Sequence, residues 1–207
     1  MPLQAAPGRA GRLWLVRRLE IATRGVEVLD QKRQTLLREQ QRLSETLERS
    51  ARAWELEARN AIEWNDRALA LAGERRLQLA TRHAAGRSEV AVEWRNALGA
   101  LVPAGASVRF SVSPDFVALG GGSVVALAAG AHEQAAVAAA DYAAARAAHD
   151  AITAELAATT RRQRAIERRW IPEHEKALHR LELALDERER EDIARVRWAL
   201  DRHRARA

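Results

Sequence analysis

The sequence predicts a mostly α-helical fold: a long antiparallel two-helix coiled coil built from the N- and C-terminal segments, with a small β-hairpin element in the middle of the chain. Three observations predict it. An apolar seam with alternating three-and-four spacing runs through Arg12 to Ala51. A second amphipathic segment runs from Ile152 to Leu200. Between them lies a tract of different composition that carries strand and turn signals.

The first seam is read by sevens. Leu15, Ala22, Leu29, Leu36 and Leu43 form one series; Leu19, Val26 and Leu47 form the other, broken by Arg33 and Gln40. This spacing is that of a coiled coil, whereas a strand would alternate every second residue. The stripe is narrow and the remaining surface is charged, so the helix needs a partner. The second segment supplies it, with Ile152, Leu156, Ile166, Trp170, Leu178, Leu181, Leu185, Val196 and Leu200 as its apolar positions. Two such arms at opposite ends of one chain predict an antiparallel hairpin of helices. A helix from residue 10 to residue 82 would be about 110 Å long at about 1.5 Å per residue, so the expected object is a rod.

In order, residues 1–8 form a lead-in that Pro7 and Gly8 close. Residues 9–85 are the N-terminal long helix. Gly25 lies inside it, where glycine costs about 1 kcal/mol relative to alanine, and close approach of another backbone is the expected reason. Past Leu47 the stripe shifts to Ala51, Trp54, Ala58, Ile62, Asn65, Leu69 and Ala72, a four-residue step that locally unwinds a supercoil. Trp54 and Trp64 fall on nearly one face and read as packing residues. The helical pattern weakens at Gly73 and fades by Gly86.

Residues 86–130 are expected to hold a short helix and the β-hairpin, with Arg87 to Ala97 either helical or extended. Val108, Phe110 and Val112 alternate with polar neighbours, and Ser113-Pro114-Asp115 is a turn signal. Phe116 to Leu119 and Ser123 to Leu127 are the candidate returning strands. The triple glycine between them is a turn, since no Gly-Lys-Ser/Thr follows to make a phosphate loop. Residues 131–207 are the C-terminal long helix, alanine-rich at first. Pro172 inside this arm removes a backbone hydrogen bond and predicts a kink.

Composition narrows the function. The chain of 207 residues has no cysteine, which excludes disulfides and thiolate metal sites. The net charge is +6, but 34 basic residues are interleaved with 28 acidic ones rather than separated into a block, which argues against nucleic acid as a partner. The longest stretch without charge, Phe116 to His132, is shorter than the ~20 apolar residues a membrane span needs. MPLQAAPG has no apolar core, so it does not read as a secretory signal.

No catalytic constellation is found. His174, Glu175 and His179 resemble a zinc-protease motif, but its histidines must be four apart; these are five apart and point about 140° away from each other. His83, His132, His149 and His203 are scattered. There is no nucleophile elbow and no dinucleotide fingerprint. The expectation is a non-catalytic chain with no cofactor and no metal.

Two stretches resemble a known family. LVRRLEIATRGVEVLDQKRQTLL carries an Ala-x-x-Gly step at Ala22-Thr23-Arg24-Gly25, then Leu29, then Lys32-Arg33. RRQRAIERRWIPEHEKALHRLELALDERERED carries Ala165-Ile166-Glu167, Ile171-Pro172, and Leu185 followed by Glu187-Arg188-Glu189-Arg190-Glu191. Together they cover about a third of the chain and resemble the D subunits of the V-type and archaeal-type rotary ATPases. The sequence departs from the family pattern at Gln163-Arg164 and at Ile193 to Arg197, and the middle matches weakly.

The resemblance implies the central stalk of a proton- or sodium-translocating rotary ATPase or ATP synthase, coupling ATP turnover in a surrounding ring to ion transport through a membrane ring. The implied partners are the catalytic and regulatory subunits of the head (A and B), the small F subunit and the cap subunit of the membrane ring. The implied location is cytoplasmic and peripheral to the membrane. Under this reading Arg17, Arg18, Arg24, Lys32 and Arg33, with Glu187, Arg188, Glu189, Arg190 and Glu191, face the head, and Gly25 and Pro172 serve structure. The rival readings are a non-rotary coiled-coil adaptor and a binder of anionic surfaces working through its basic charge.

Overall fold

The computed structural model describes residues 8–83, 88–111 and 122–204. Helix α1 spans Arg9–Ala72 and α2 spans Glu74–His83. Strands β1, Glu89–Ala97, and β2, Ala100–Arg109, follow. Helix α3 covers Ser123–Ala165, a single π-helical turn covers Ile166–Trp170, and α4 covers Ile171–Arg204. Two long terminal helical arms with a two-stranded antiparallel hairpin between them are the fold that the heptads predict.

Glycine punctuates the first arm. Gly8, at φ 99°, offers its carbonyl to the Arg12 N–H and so opens α1. Gly73, at φ 78°, donates its N–H to the Leu69 carbonyl and ends α1 in the left-handed conformation that glycine adopts without penalty. The same Gly73 carbonyl accepts the N–H groups of Arg76 and Leu77, so one residue closes one helix and opens the next.

The chain divides into two compact units: Met1–Gln34 with Ala157–Ala207, and Thr35–Leu156. In the second, middle unit, α1 and α3 run antiparallel. Gln40 Nε2 donates to Thr153 Oγ1 at 2.9 Å, and Trp54 stacks on Tyr142 with centroids 5.2 Å apart. Gln40, a break in the apolar seam, is therefore satisfied across the interface. The core of this unit joins Leu36, Leu43, Ala148 and Ile152 of the helices to Ala97 and Val102 of the hairpin. A two-stranded hairpin is marginal alone, and here its inner face packs on the helix pair.

The hairpin lies earlier than the turn signals predict. Its strands are 89–97 and 100–109, joined by Leu98-Gly99 with both residues at positive φ, 57° and 90°. Two positive φ values make the turn whose twist matches the flanking strands. Asn96 Oδ1 accepts the Gly99 N–H at 3.0 Å. Pairing shifts by one residue between Glu93 and Trp94, which face Gly105 and Pro103, so Pro103 sits beside a bulge. Of the segment Arg87 to Ala97, open to either helix or strand on sequence, the residues from Glu89 on are strand. Val108 belongs to β2, but Ser113-Pro114-Asp115 and Phe116 to Leu119 lie outside the described residues.

Ser123 to Leu127, expected as a returning strand, is instead the first turn of α3. Val125 and Ala126 donate to the Gly122 carbonyl, and the alanine run that follows favours helix over the local β-branched pair. Helix thus begins at Ser123, ahead of the expected start at 131.

The stripe beyond Leu47 also differs in phase. Ile62 and Leu69 are 59% and 47% exposed, whereas Ala61 and Ala68 are buried. Alanine at the contact lets the partner backbone approach, which leaves the bulky neighbours on the flank. Along exposed faces, Arg52–Glu48, Arg59–Glu55 and Arg67–Glu63 form i,i+4 pairs at 3.3 to 3.9 Å, each worth a few tenths of a kcal/mol. Among the described residues, no helix is long and apolar enough to cross a membrane.

Candidate partner-binding surface

Every residue expected to face a partner falls in the terminal unit, Met1–Gln34 with Ala157–Ala207. There α1 pairs with the π turn and α4 in antiparallel sense. Arg12 Nε donates to Glu182 Oε1 at 2.8 Å, and Arg18 lies 5.6 Å from the Trp170 ring centroid. Leu15 is fully buried beneath these contacts.

The π turn organises this unit. The Ile171 N–H bonds to the Ile166 carbonyl, five residues back. Pro172 has no N–H and its ring would meet a carbonyl four residues back in a continuous α-helix. A turn with one residue more displaces that carbonyl, and it places Pro172 in the first turn of α4, where a missing donor costs least. Trp170 stacks on His174 at 3.4 Å between centroids, and its carbonyl lies 2.8 Å from the His174 Nδ1. His174 is only 2% exposed, so it serves packing here, while His179 on the same helix is exposed.

The basic residues of α1 separate into two kinds. Arg17 and Arg24 are exposed, seven residues apart on one side of the helix. Arg18 is held over Trp14 at 4.8 Å as well as near Trp170, which fixes it by cation–π attraction. Arg33 is turned onto Asp30 at 2.7 Å and Lys32 is half-buried. The Arg33 guanidinium, with help from Gln34 and Gln163, lowers the Asp30 pKa below the usual carboxylate range. Arg33 is therefore engaged by an acid of its own helix, at a half-exposed position.

At the other end, Glu187 pairs with Arg190 at 3.5 Å and Glu191 with Arg195 at 3.1 Å, both along the helix. Arg188 and Glu189 help line a cavity of about 650 Å³ together with Arg9, Leu185, Ile193 and Val196. Beyond this point α4 has no cover among the described residues: Ile193, Val196 and Leu200 are 49%, 60% and 54% exposed. The heptads place Val196 and Leu200 in the seam; they leave it because Arg12 already pairs with Glu182 and α1 begins at Arg9, so among the described residues of this unit no helix remains to face them.

Gly25 departs from expectation. A Cβ built there would meet nothing within 4 Å, so among the described residues no neighbouring backbone requires glycine at that place. A further stripe escapes the heptad reading. Trp14, Ile21 and Val28, spaced by seven, are 41%, 70% and 62% exposed on α1. Its signal is present in the sequence, since each precedes a seam residue by one position, but the neighbouring heptad series hides it.

Among the described residues, no group of three or more His, Cys, Asp or Glu is placed to hold a metal ion. The protein-family model that describes the D subunit of ATP synthase matches residues 13–201. No curated protein matches this chain.

Proposed function

The chain belongs to the ATP synthase D-subunit family, which makes it a component of a rotary ATPase, and from that premise we propose that it is the central shaft of the motor. The observation that carries this reading is the extent of the family match, which takes in both helical arms and the hairpin between them. In this reading the chain performs no chemistry on ATP. It sits within the catalytic and regulatory subunits of the head, binds an F-like subunit and the cap of the membrane ring, and turns as ions pass. Its place is cytoplasmic and peripheral to the membrane, and the ion is a proton or sodium ion.

The physical task suits the residues. A shaft must present a different contact to each catalytic site as it turns, which is a coupling free energy carried by one stiff element. The antiparallel pairing through Leu15, Arg12–Glu182 and Arg18 over the Trp170 ring supports stiffness at the terminal unit. Arg17, Arg24, Arg188 and Glu189 supply charged contacts on its surface, and the uncovered Val196 and Leu200 supply apolar ones. Gly25 leaves room beside α1 for a partner rather than for this chain.

The test uses the lack of native cysteine. A single Arg24→Cys chain is assembled with the host's ATPase head carrying one introduced cysteine on the facing subunit, and the two thiols are oxidised to a reversible disulfide. Rotation predicts that ATP hydrolysis falls in proportion to cross-linking and returns on reduction. Undiminished hydrolysis in fully cross-linked complexes would sink the rotor role, and failure of the head to bind the chain would favour a non-rotary adaptor.

A further inference from the structure

Two inward-facing series run along the C-terminal arm of the terminal unit, and they are one residue out of step. Thr159, Gln163, Ile166 and Trp170 follow one another by four, three and four. Ile171, His174, Leu178, Leu181 and Leu185 follow by three, four, three and four. All of them are buried or half-buried. Both series lie on the side of α1. Ile166 and Trp170 line a groove with Arg18 and Ala22, Leu178 lines another with Val16 and Leu19, and Leu185 a third with Arg12 and Leu13.

Each spacing is that of a coiled-coil seam, yet Trp170 closes one series and its neighbour Ile171 opens the next. Continued without a break, the first series would bring Glu173, Ala177, Arg180 and Ala184 inward. Instead Glu173, Arg180 and Ala184 are exposed. Glu173 pairs with Arg169 at 3.4 Å, and Arg180 Nε donates to the Lys176 carbonyl.

The break coincides with the π turn. An α-helix turns about 100° per residue, so a seam that moved on by one residue would swing away from α1. The hydrogen bond from the Ile171 N–H to the Ile166 carbonyl, five residues back, takes one residue more into the turn. That residue is the offset between the two series.

We infer that the π turn is a register device: it holds one residue that belongs to neither seam, and so returns Leu178, Leu181 and Leu185 to α1 in place of Glu173 and Arg180. The same step sets which side of α4 is left for partners, since without it α4 would be turned by about 100° about its axis. Pro172 is a consequence of the device rather than its cause. The widened turn admits a proline, whereas the three leucines require the step whatever residue stands at 172.

The test changes the length of the turn in the full chain. Deleting Arg168, an exposed residue of the turn, in a Pro172→Ala background removes the extra residue and leaves a continuous α-helix on which both series fall in step. Its thermal midpoint is expected within about 3 °C of that of Pro172→Ala alone. Inserting one alanine between Arg168 and Arg169 in the same background moves Glu173 and Arg180 into the places of His174 and Leu181. There the midpoint is expected to fall by about 10 °C or more. Amide exchange over 9–34 and 171–185 should quicken in the insertion chain and stay at the parent rate in the deletion chain, which places the effect in this unit. Equal losses on deletion and on insertion would overturn the register device, and so would an insertion chain that melts like its parent.

Discussion

Arg95, on the first strand of the hairpin, donates through Nη2 to Glu39 Oε1 on α1, and Arg42 holds the same oxygen at 2.7 Å. One carboxylate thus ties a strand to a helix 56 positions away in sequence. The Arg42 guanidinium first, and Arg95 with it, hold the Glu39 carboxyl down to about 2 against the opposing effect of burial.

That depression makes a pH prediction. A carboxyl whose folded pKa lies below its unfolded value stabilises the fold above the unfolded pKa and stops doing so as the pH falls through the folded one. Glu39→Gln is expected to cost about 1–2 kcal/mol at neutral pH, since Arg42 is largely solvated and Arg95 partly so. The difference from wild type should shrink as the pH drops from about 4.5 towards about 2, read from urea midpoints. Equal losses at pH 7 and at the acid end would contradict the linkage.

The hairpin turn can be improved. Leu98 has φ 57°, a conformation that costs a leucine about 1 kcal/mol and suits asparagine or glycine. Leu98→Asn should stabilise the hairpin by roughly 0.5–1 kcal/mol, and Gly99→Ala should destabilise it by at least about 1 kcal/mol. Amide hydrogen exchange across 89–109 reads both changes directly.

Thr159 is 1% exposed and its hydroxyl has no hydrogen-bond partner among the described residues. An unpaired buried hydroxyl costs about 1–3 kcal/mol, while valine has the same shape. Thr159→Val is therefore expected to raise stability by about 1 kcal/mol, a gain visible as a higher thermal midpoint. A loss instead would mean that the hydroxyl is satisfied by water.

Ile152 is fully buried in the cluster that joins the helix pair to the hairpin. Ile152→Ala should cost about 2–5 kcal/mol and should raise exchange in β1 and β2 as well as in α3, because the hairpin packs on that residue's cluster. Protection unchanged in the hairpin would show that its anchorage lies with Glu39 alone.

Val196 and Leu200 behave in the opposite way. They are 60% and 54% exposed, so replacing both by Glu should leave the melting of the isolated chain nearly unchanged. The same pair should weaken assembly with the head by about tenfold or more if the stripe is covered there. Analytical ultracentrifugation of the reconstituted complex separates the two effects.

The sequence by itself determined the fold class, because period is a local property: Leu15, Leu36 and Leu43 repeat in phase wherever the partner helix lies. It also determined that Trp54 packs, which its stack on Tyr142 bears out. Only tertiary structure decided the rest. Leu98-Gly99 has no conventional turn signature, and its backbone is held by the packing of Ala97 and Val102 on the helices. Ala61 took the seam from Ile62 because backbone proximity, not hydropathy, sets which residue faces a close partner. Arg33 and Arg24 look alike in sequence, yet one meets Asp30 and the other meets solvent. Whether a charge is spent within the chain or left for a partner depends on which carboxylates folding brings within reach, and that is a property of the pairing of the helices, not of any one segment.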